Sequence, residues 1–300
     1  MNLCYLFSGQ GSQFANMGQD LYQTEPLYKQ TVDEASDVLN LDLADPKNFD
    51  DPANVQIAIL TMSTGIARLL DAQLPMPKAM FGLSLGEYSA LVSAKALSFQ
   101  SGLKLVQDRS RYMDAAGRAN PGAMAAVLNL APDVVASVCD AIDGVYPANF
   151  NTEKQTVIGG QADAVAQASV ALKQQGAKRV VPLKVAVASH TPLMQPASEQ
   201  LATRLASVEF DAPQTTVLSN TLVAPFTKEN LKDTLVKQLV SPTHFMGDVQ
   251  AADQLGVDAF VEIGPGNTLS KLAKKTAKKP TFNIESVDTL NDFRAKLEEF

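Results

Sequence analysis

Residues 78–97 constrain the fold of this 300-residue chain more than any other stretch. A short apolar run, Lys78 to Gly82, passes directly into Gly82-Leu83-Ser84-Leu85-Gly86, and helical periodicity follows from Glu87 to Leu97. G-x-S-x-G at a strand-to-helix turn is the pattern of a nucleophile elbow, in which glycines relieve backbone crowding and a serine hydroxyl stands in a cleft at a helix start. An ordinary turn serine is the competing reading, and the flanking strand and helix weigh against it.

The remaining periodicity surrounds this unit with an α/β pattern. Leu3 to Phe7 reads as a buried strand ending in the Ser8-Gly9-Gln10-Gly11-Ser12-Gln13 turn, with helices over 17–39 and 55–74 before Pro75 and Pro77, and another over 99–117. Between residues 121 and 186 the units shorten to strand 123–128, helix 132–142, strand 145–150, strand 155–158, helix 162–175 and strand 179–185. This βαββαβ order is the ferredoxin-like arrangement. Longer helices return from Val187, with strands at 216–219 and 259–263. The expected architecture is a large α/β-hydrolase-like domain, residues 1–120 and 187–300, interrupted by a ferredoxin-like subdomain at 121–186.

Composition narrows the partners. Thirty-two acidic against 25 basic residues leave a net charge of −7, so the chain as a whole offers no field to attract nucleic acid or an anionic membrane. Any basic docking site is local, at Lys178, Arg179 and Lys184 or along Lys271, Lys274, Lys275, Lys278 and Lys279. The two cysteines, Cys4 and Cys139, fall in apolar patterns and read as buried small hydrophobes. The N-terminus lacks the layout of a signal peptide, and no later run reads as long enough to span a bilayer, so a cytoplasmic location is expected; for a chain of this acidity with no visible association motif, a monomer is the default.

A serine at neutral pH needs a base, and the chain has two histidines, His190 and His244. His190 lies in the small polar loop Ala188-Ser189-His190-Thr191-Pro192, a setting that favours it over His244, whose neighbours are bulkier. The backbone N–H of Leu85, at the helix start, would face a tetrahedral oxyanion, and that of Gln10 would join it if the first turn packs beside Ser84. Arg109 shares a helical face with Val106 and Met113 and is expected among apolar neighbours. No motif supplies a carboxylate to orient the base, so a serine–histidine dyad is expected.

Gly9-Gln10-Gly11-Ser12-Gln13, Gly82 to Ala90, Arg109, Ser189-His190 and Glu262-Ile263-Gly264-Pro265-Gly266, in this order along nearly the whole chain, resemble the malonyl-CoA:acyl-carrier-protein transacylase family. The resemblance implies Ser84 as nucleophile, His190 as base, the backbone of Gln10 and Leu85 as oxyanion hole, Arg109 as holder of the malonyl carboxylate, and Asn149 and Asn151 near the cleft, Asn151 as a substrate-binding candidate. It further implies that the backbone carbonyl of His244 orients the base. Its substrates would be malonyl-CoA and the phosphopantetheine thiol of an acyl carrier protein in fatty acid biosynthesis, with coenzyme A thioester as substrate and neither cofactor nor metal. Leu83, Ser8 and His244 depart from the commoner family pattern. Rival readings are a serine thioesterase or other α/β hydrolase, a polyketide-pathway acyltransferase, and a non-catalytic docking module.

Overall fold

The computed structural model describes residues 1–185 and 187–299. Ala186, the last residue of the expected insert, and Phe300 lie outside the described residues.

β1 (Leu3–Phe7) is buried along its whole length, as a continuous apolar strand requires, because alternate side chains point to opposite faces and both faces must be covered. The chain continues through α1 (Gln19–Thr24), α2 (Pro26–Leu39), α3 (Pro46–Phe49), α4 (Val55–Asp71), β2 (Ala79–Gly82), α5 (Leu85–Ser93) and α6 (Phe99–Ala119). The middle segment is β3 (Ala123–Leu128), α7 (Pro132–Asp140), β4 (Val145–Thr152), β5 (Gln155–Gly160), α8 (Ala162–Gln174) and β6 (Arg179–Pro182). Last come α9 (Gln195–Ala206), β7 (Thr216–Ser219), β8 (Ala224–Pro225), α10 (Leu231–Gln238), α11 (Phe245–Gln254), β9 (Ala259–Ile263), α12 (Thr268–Ala277), β10 (Thr281–Ile284) and α13 (Val287–Glu298).

Six of these strands form one sheet in the order β10-β9-β1-β2-β7-β8, parallel except for the short edge strand β8. Leu3, Tyr5 and Phe7 join the core built with α2, α4, α5 and α6, whereas Cys4 and Leu6 face Phe245 and Val249 of α11 and Leu269 and Leu272 of α12. β1 and β2 are neighbours at the centre, with Phe7 opposite Gly82, so the turns that follow them emerge side by side at the carboxyl edge of the sheet.

The middle segment forms a separate four-stranded antiparallel sheet in the order β4-β5-β3-β6. Val135 and Cys139 of α7 and Val165, Ala168 and Leu172 of α8 cover one face, while Met124, Ala126 and Val157 on the other pack with Ala188, beside His190. β4 is tied to the larger body through Thr243, whose carbonyl accepts from Phe150 N–H at 2.8 Å and whose N–H donates to the Ala148 carbonyl at 2.9 Å.

Four expectations need correction. The helix expected over 17–39 is two helices, because Pro26 at the first position of α2 has no N–H to continue a helix and Glu25 before it is extended. β6 ends at Pro182 rather than 185, where the ladder to β3 meets a residue with no donor. β8 and β10 were not anticipated, being short strands at the two edges of the larger sheet. Pro52–Asp71, finally, is long and apolar enough to cross a membrane, contrary to the sequence reading, yet most of it is buried in the core, packed against α2, α5 and α6.

Candidate active site

The elbow forms where the motif places it. Ser84 sits between β2 and α5 with φ 55° and ψ −101°, a backbone conformation that is costly for a residue with a side chain and is held by its surroundings. The flanking glycines are required by close approach: a Cβ on Gly82 would meet the Gly86 backbone, and one on Gly86 would meet the Phe7 carbonyl. The first turn does pack against the elbow, since a Cβ on Gly9 would stand 2.6 Å from the Leu83 carbonyl oxygen. This contact brings the Gln10 backbone alongside, and Leu85, the first residue of α5, has an N–H with no acceptor inside its own helix.

Arg109 is 1% exposed and extends from α6 to the nucleophile. Its Nη2 donates to Ser84 Oγ at 2.9 Å and to Gln238 Oε1 at 3.2 Å, and its Nη1 donates to Gln56 Oε1 at 2.7 Å. The guanidinium carbon lies 5.2 Å from the centre of the Tyr88 ring. Burial lowers the guanidinium's pKa from its ordinary value. Among the described residues its hydrogen bonds reach only neutral groups, and its Nε has no partner. Among the described residues no carboxylate touches this buried cation, Glu87 reaching it only across Gln238, which leaves a demand for an anion beside Ser84.

His190 is 3% exposed and adopts φ 63°. Its N–H donates to the Leu239 carbonyl at 3.0 Å and its Nδ1 lies 2.8 Å from the Gln238 carbonyl. A carbonyl only accepts, so Nδ1 carries the proton and Nε2 keeps its lone pair. Both carbonyls belong to the end of α10, where a helix leaves its last C=O groups unpaired. Burial, partly offset by the Gln238 hydrogen bond and reinforced by Arg109, lowers the pKa of His190 to about 4, so the imidazole is neutral at pH 7.

The carbonyl that orients His190 is therefore that of Gln238, not that of His244. His244 caps α11: its carbonyl accepts from Asp248 N–H at 3.1 Å, its own N–H donates to the Asn220 carbonyl at 2.9 Å, and its ring stacks on Phe150 with centroids 5.0 Å apart. Asn149 and Asn151 are buried on β4. Asn149 Nδ2 donates to Thr243 Oγ1 at 2.7 Å; among the described residues Asn151 Oδ1 has no partner, and neither asparagine forms a hydrogen bond with Ser84, His190 or Arg109.

Sequence reasoning missed five polar residues that hold this site together: Gln56, Glu87, Asn220, Gln238 and Asp248, each at most 2% exposed. Gln56 Nε2 donates to Gln10 Oε1 at 3.1 Å, linking the first turn to Arg109. Asn220 Oδ1 accepts from Ser84 N–H at 3.1 Å and its Nδ2 donates to Asp248 Oδ2, while Gln238 Nε2 donates to the Ser84 carbonyl at 3.0 Å and to Glu87 Oε2. Glu87, directly after the elbow motif, was the one accessible signal: a carboxylate in an otherwise apolar helix needs a buried partner. Glu262, from the last quoted motif, accepts from the N–H groups of Leu269 and Ser270 at 3.1 and 2.8 Å and so secures the start of α12. Among the described residues, no group of three or more His, Cys, Asp or Glu side chains is placed to hold a metal ion.

The family model described as "Acyl transferase domain" matches residues 4–296. The chain belongs to the acyl transferase domain family. It is 38% identical over 300 residues to a malonyl CoA-acyl carrier protein transacylase of Bacillus subtilis, covering 96% of this chain and 95% of that one. The crystal structure of MCAT from Streptococcus pneumoniae superposes with a TM-score of 0.94 at 38% identity, covering 98% of this chain and all of that one. A malonyl-transacylase solved in complex with its type II polyketide acyl-carrier protein superposes with a TM-score of 0.92 at 35% identity, over 97% of this chain and 98% of that one.

Proposed function

We propose that this chain transfers the malonyl group of malonyl-CoA to the phosphopantetheine thiol of an acyl carrier protein, in fatty acid biosynthesis. The observation that carries the reading is the buried Arg109 guanidinium, paired only with neutral groups among the described residues and 2.9 Å from Ser84 Oγ. An acyl chain ending in a carboxylate meets its demand for charge, and the relatives named for malonyl transfer have such a substrate.

The proposed chemistry uses the groups gathered at this site, with His190 engaging Ser84 Oγ once Arg109 has given it up. As the malonyl carboxylate takes up the guanidinium fork, Arg109 releases Ser84 Oγ, whose proton passes to His190 Nε2 as the oxygen attacks the thioester carbonyl carbon. Negative charge on the carbonyl oxygen is met by the N–H groups of Leu85 and Gln10. Collapse breaks the carbon–sulfur bond, the coenzyme A thiolate takes the proton from the imidazolium, and malonyl-Ser84 remains. The carrier thiol then gives its proton to His190, attacks the ester and leaves with the malonyl group while Ser84 recovers its proton. The coenzyme A thioester enters as substrate, and each step uses groups of the chain with no resident cofactor or metal.

The same reading divides the chain into an α/β-hydrolase-like body, 1–120 and 187–300, and a ferredoxin-like insert, 121–186. It is supported by the six-stranded sheet, parallel but for β8, and by the β4-β5-β3-β6 order of the antiparallel one. An acidic carrier would dock on a local basic surface, with exposed Lys178, Arg179 and Lys184 as one candidate and Lys271, Lys274 and Lys275 of α12 as another; the enzyme would act as a cytoplasmic monomer. The deciding experiment is intact-mass analysis after mixing with malonyl-CoA or acetyl-CoA and then with holo carrier protein. Malonyl loading that depends on Ser84 and passes to the carrier is expected. Release of acyl only as free acid would make the protein a hydrolase.

A further inference from the structure

Both peptide groups of the strained Ser84 are held by side-chain amides, and each amide is in turn held by a buried carboxylate. On one side Asp248 accepts from Asn220 Nδ2, and Asn220 Oδ1 accepts from Ser84 N–H at 3.1 Å. On the other Glu87 accepts from Gln238 Nε2, which also donates to the Ser84 carbonyl at 3.0 Å, leaving Gln238 Oε1 to accept from Arg109. The second oxygen of Glu87 accepts from Asn220 N–H at 2.5 Å, so the two arms share that residue. Glu87, Asn220, Gln238 and Asp248 are all fully buried.

We infer that Glu87, with Asp248 as its counterpart, is a positioning residue for acyl transfer: through the Gln238 and Asn220 amides it fixes the backbone of the nucleophile and the fork of Arg109. The inference rests on the transferase reading of the site. Its logic is that of donors and acceptors. An amide has one accepting oxygen and one donating NH2, and Gln238 is surrounded by two groups that only accept, the Glu87 carboxylate and the Ser84 carbonyl, and by one that only donates, Arg109. A single orientation satisfies all three. Were residue 87 to present an NH2, which has no lone pair to accept with, two N–H groups would face each other, and turning the Gln238 amide would set its oxygen against the Ser84 carbonyl and its NH2 against Arg109; a protonated carboxyl, by contrast, keeps lone pairs on both oxygens and can still accept. A positive φ at Ser84 stores strain that the surroundings have to oppose, and these amides reach its N–H and its C=O directly.

Glu87→Gln is the direct test, because it keeps the volume but places an NH2 against either Asn220 N–H or Gln238 Nε2. Gln238→Leu is the companion, removing the amide while retaining the backbone carbonyl that holds His190. The assay is single-turnover malonylation of Ser84 from malonyl-CoA, followed by quench and intact mass, with circular dichroism to establish folding. In both variants kcat for loading should fall roughly ten- to a hundredfold, the loss of one hydrogen bond to a charged group, with a smaller change in KM. Folded variants that load malonyl at the wild-type rate, even if they melt earlier, would reduce Glu87 to a structural role and overturn the inference. Should Glu87→Gln not fold, Gln238→Leu decides alone by the same two outcomes. A wild-type protein that takes no malonyl overturns the transferase reading itself, an outcome distinct from equal rates in wild type and variants.

Discussion

Removing Arg109 should erase the preference for an acyl group that ends in a carboxylate. In the structure Nη2 spends its two N–H groups on Ser84 and Gln238 and Nη1 spends one on Gln56, leaving Nε and one Nη1 N–H free among the described residues, so an incoming carboxylate takes up one of these and a second from Ser84 Oγ. The net gain is about one charge-assisted hydrogen bond, roughly 1.5–3 kcal/mol, or about ten- to a hundredfold in kcat/KM for malonyl-CoA. Acetyl has no carboxylate to lose, and Arg109→Ala frees Ser84 Oγ from a competing donor, so acetyl loading should hold or rise. The assay is quench-flow loading of Ser84 from the two thioesters, read by intact mass and expressed as a ratio of kcat/KM. An equal fall for malonyl and acetyl would refute the reasoning, since Arg109 would then be supporting the nucleophile or the fold rather than gripping a carboxylate.

Gly86→Ala should fold poorly or lose loading by more than a hundredfold, because its Cβ would meet the Phe7 carbonyl at the junction of elbow and sheet; thermal melting and single-turnover loading report the two effects. The acid limb of loading due to His190 should fall near pH 4, with activity lost as pH drops through that value, and His190→Gln should abolish loading throughout; a limb at 6.5 would show an imidazole open to water. Glu87 and His190 should pull stability in opposite directions. Burial raises the carboxyl of Glu87 to about 7, so between roughly pH 4.5 and 7 the folded state binds the extra proton and this group makes the protein more stable as pH falls; His190, neutral when folded but protonated when unfolded between roughly 4 and 6.5, makes it less stable. Urea melts of Glu87→Gln across that range should therefore show stability falling more steeply with acid than in wild type, by about 1.4 kcal/mol per pH unit, and parallel curves would contradict the assignment. Cys4 and Cys139, buried with thiols pushed up by desolvation, the latter to about 12, should resist a thiol-reactive dye in the native protein and both react in denaturant.

What could be read from the sequence was whatever leaves a local trace. The run Leu3–Phe7 and its glycine turn, the elbow, and the alternation between 123 and 182 are each set by neighbours within a few residues, and the structure places them close to expectation. The proline that splits α1 from α2 was equally local, and the smooth apolar periodicity on either side hid it. Gln238 left no such trace, since it looks like any polar residue near a helix end until α10 is brought against residues more than a hundred positions away. For the same reason the choice between the carbonyls of Gln238 and His244 lay beyond sequence spacing: both are about 50 residues from His190 in the chain, and the end of α10 decides which one is unpaired.

The pairing of Phe7 with Gly82 gives the proposed oxyanion donors an unusual origin. Gln10 and Leu85 are 75 residues apart in the chain, yet each follows the end of one of two adjacent parallel strands, whose separation is about 4.8 Å in any sheet. The β-sheet thus sets the two strand ends from which they depart, and the packing of Gly9 on the Leu83 carbonyl carries that order into the turns. The turns themselves can adjust, whereas their anchors move only if the central ladder itself comes apart, so the base of the pocket for the developing charge should be among the last parts of the molecule to lose its shape.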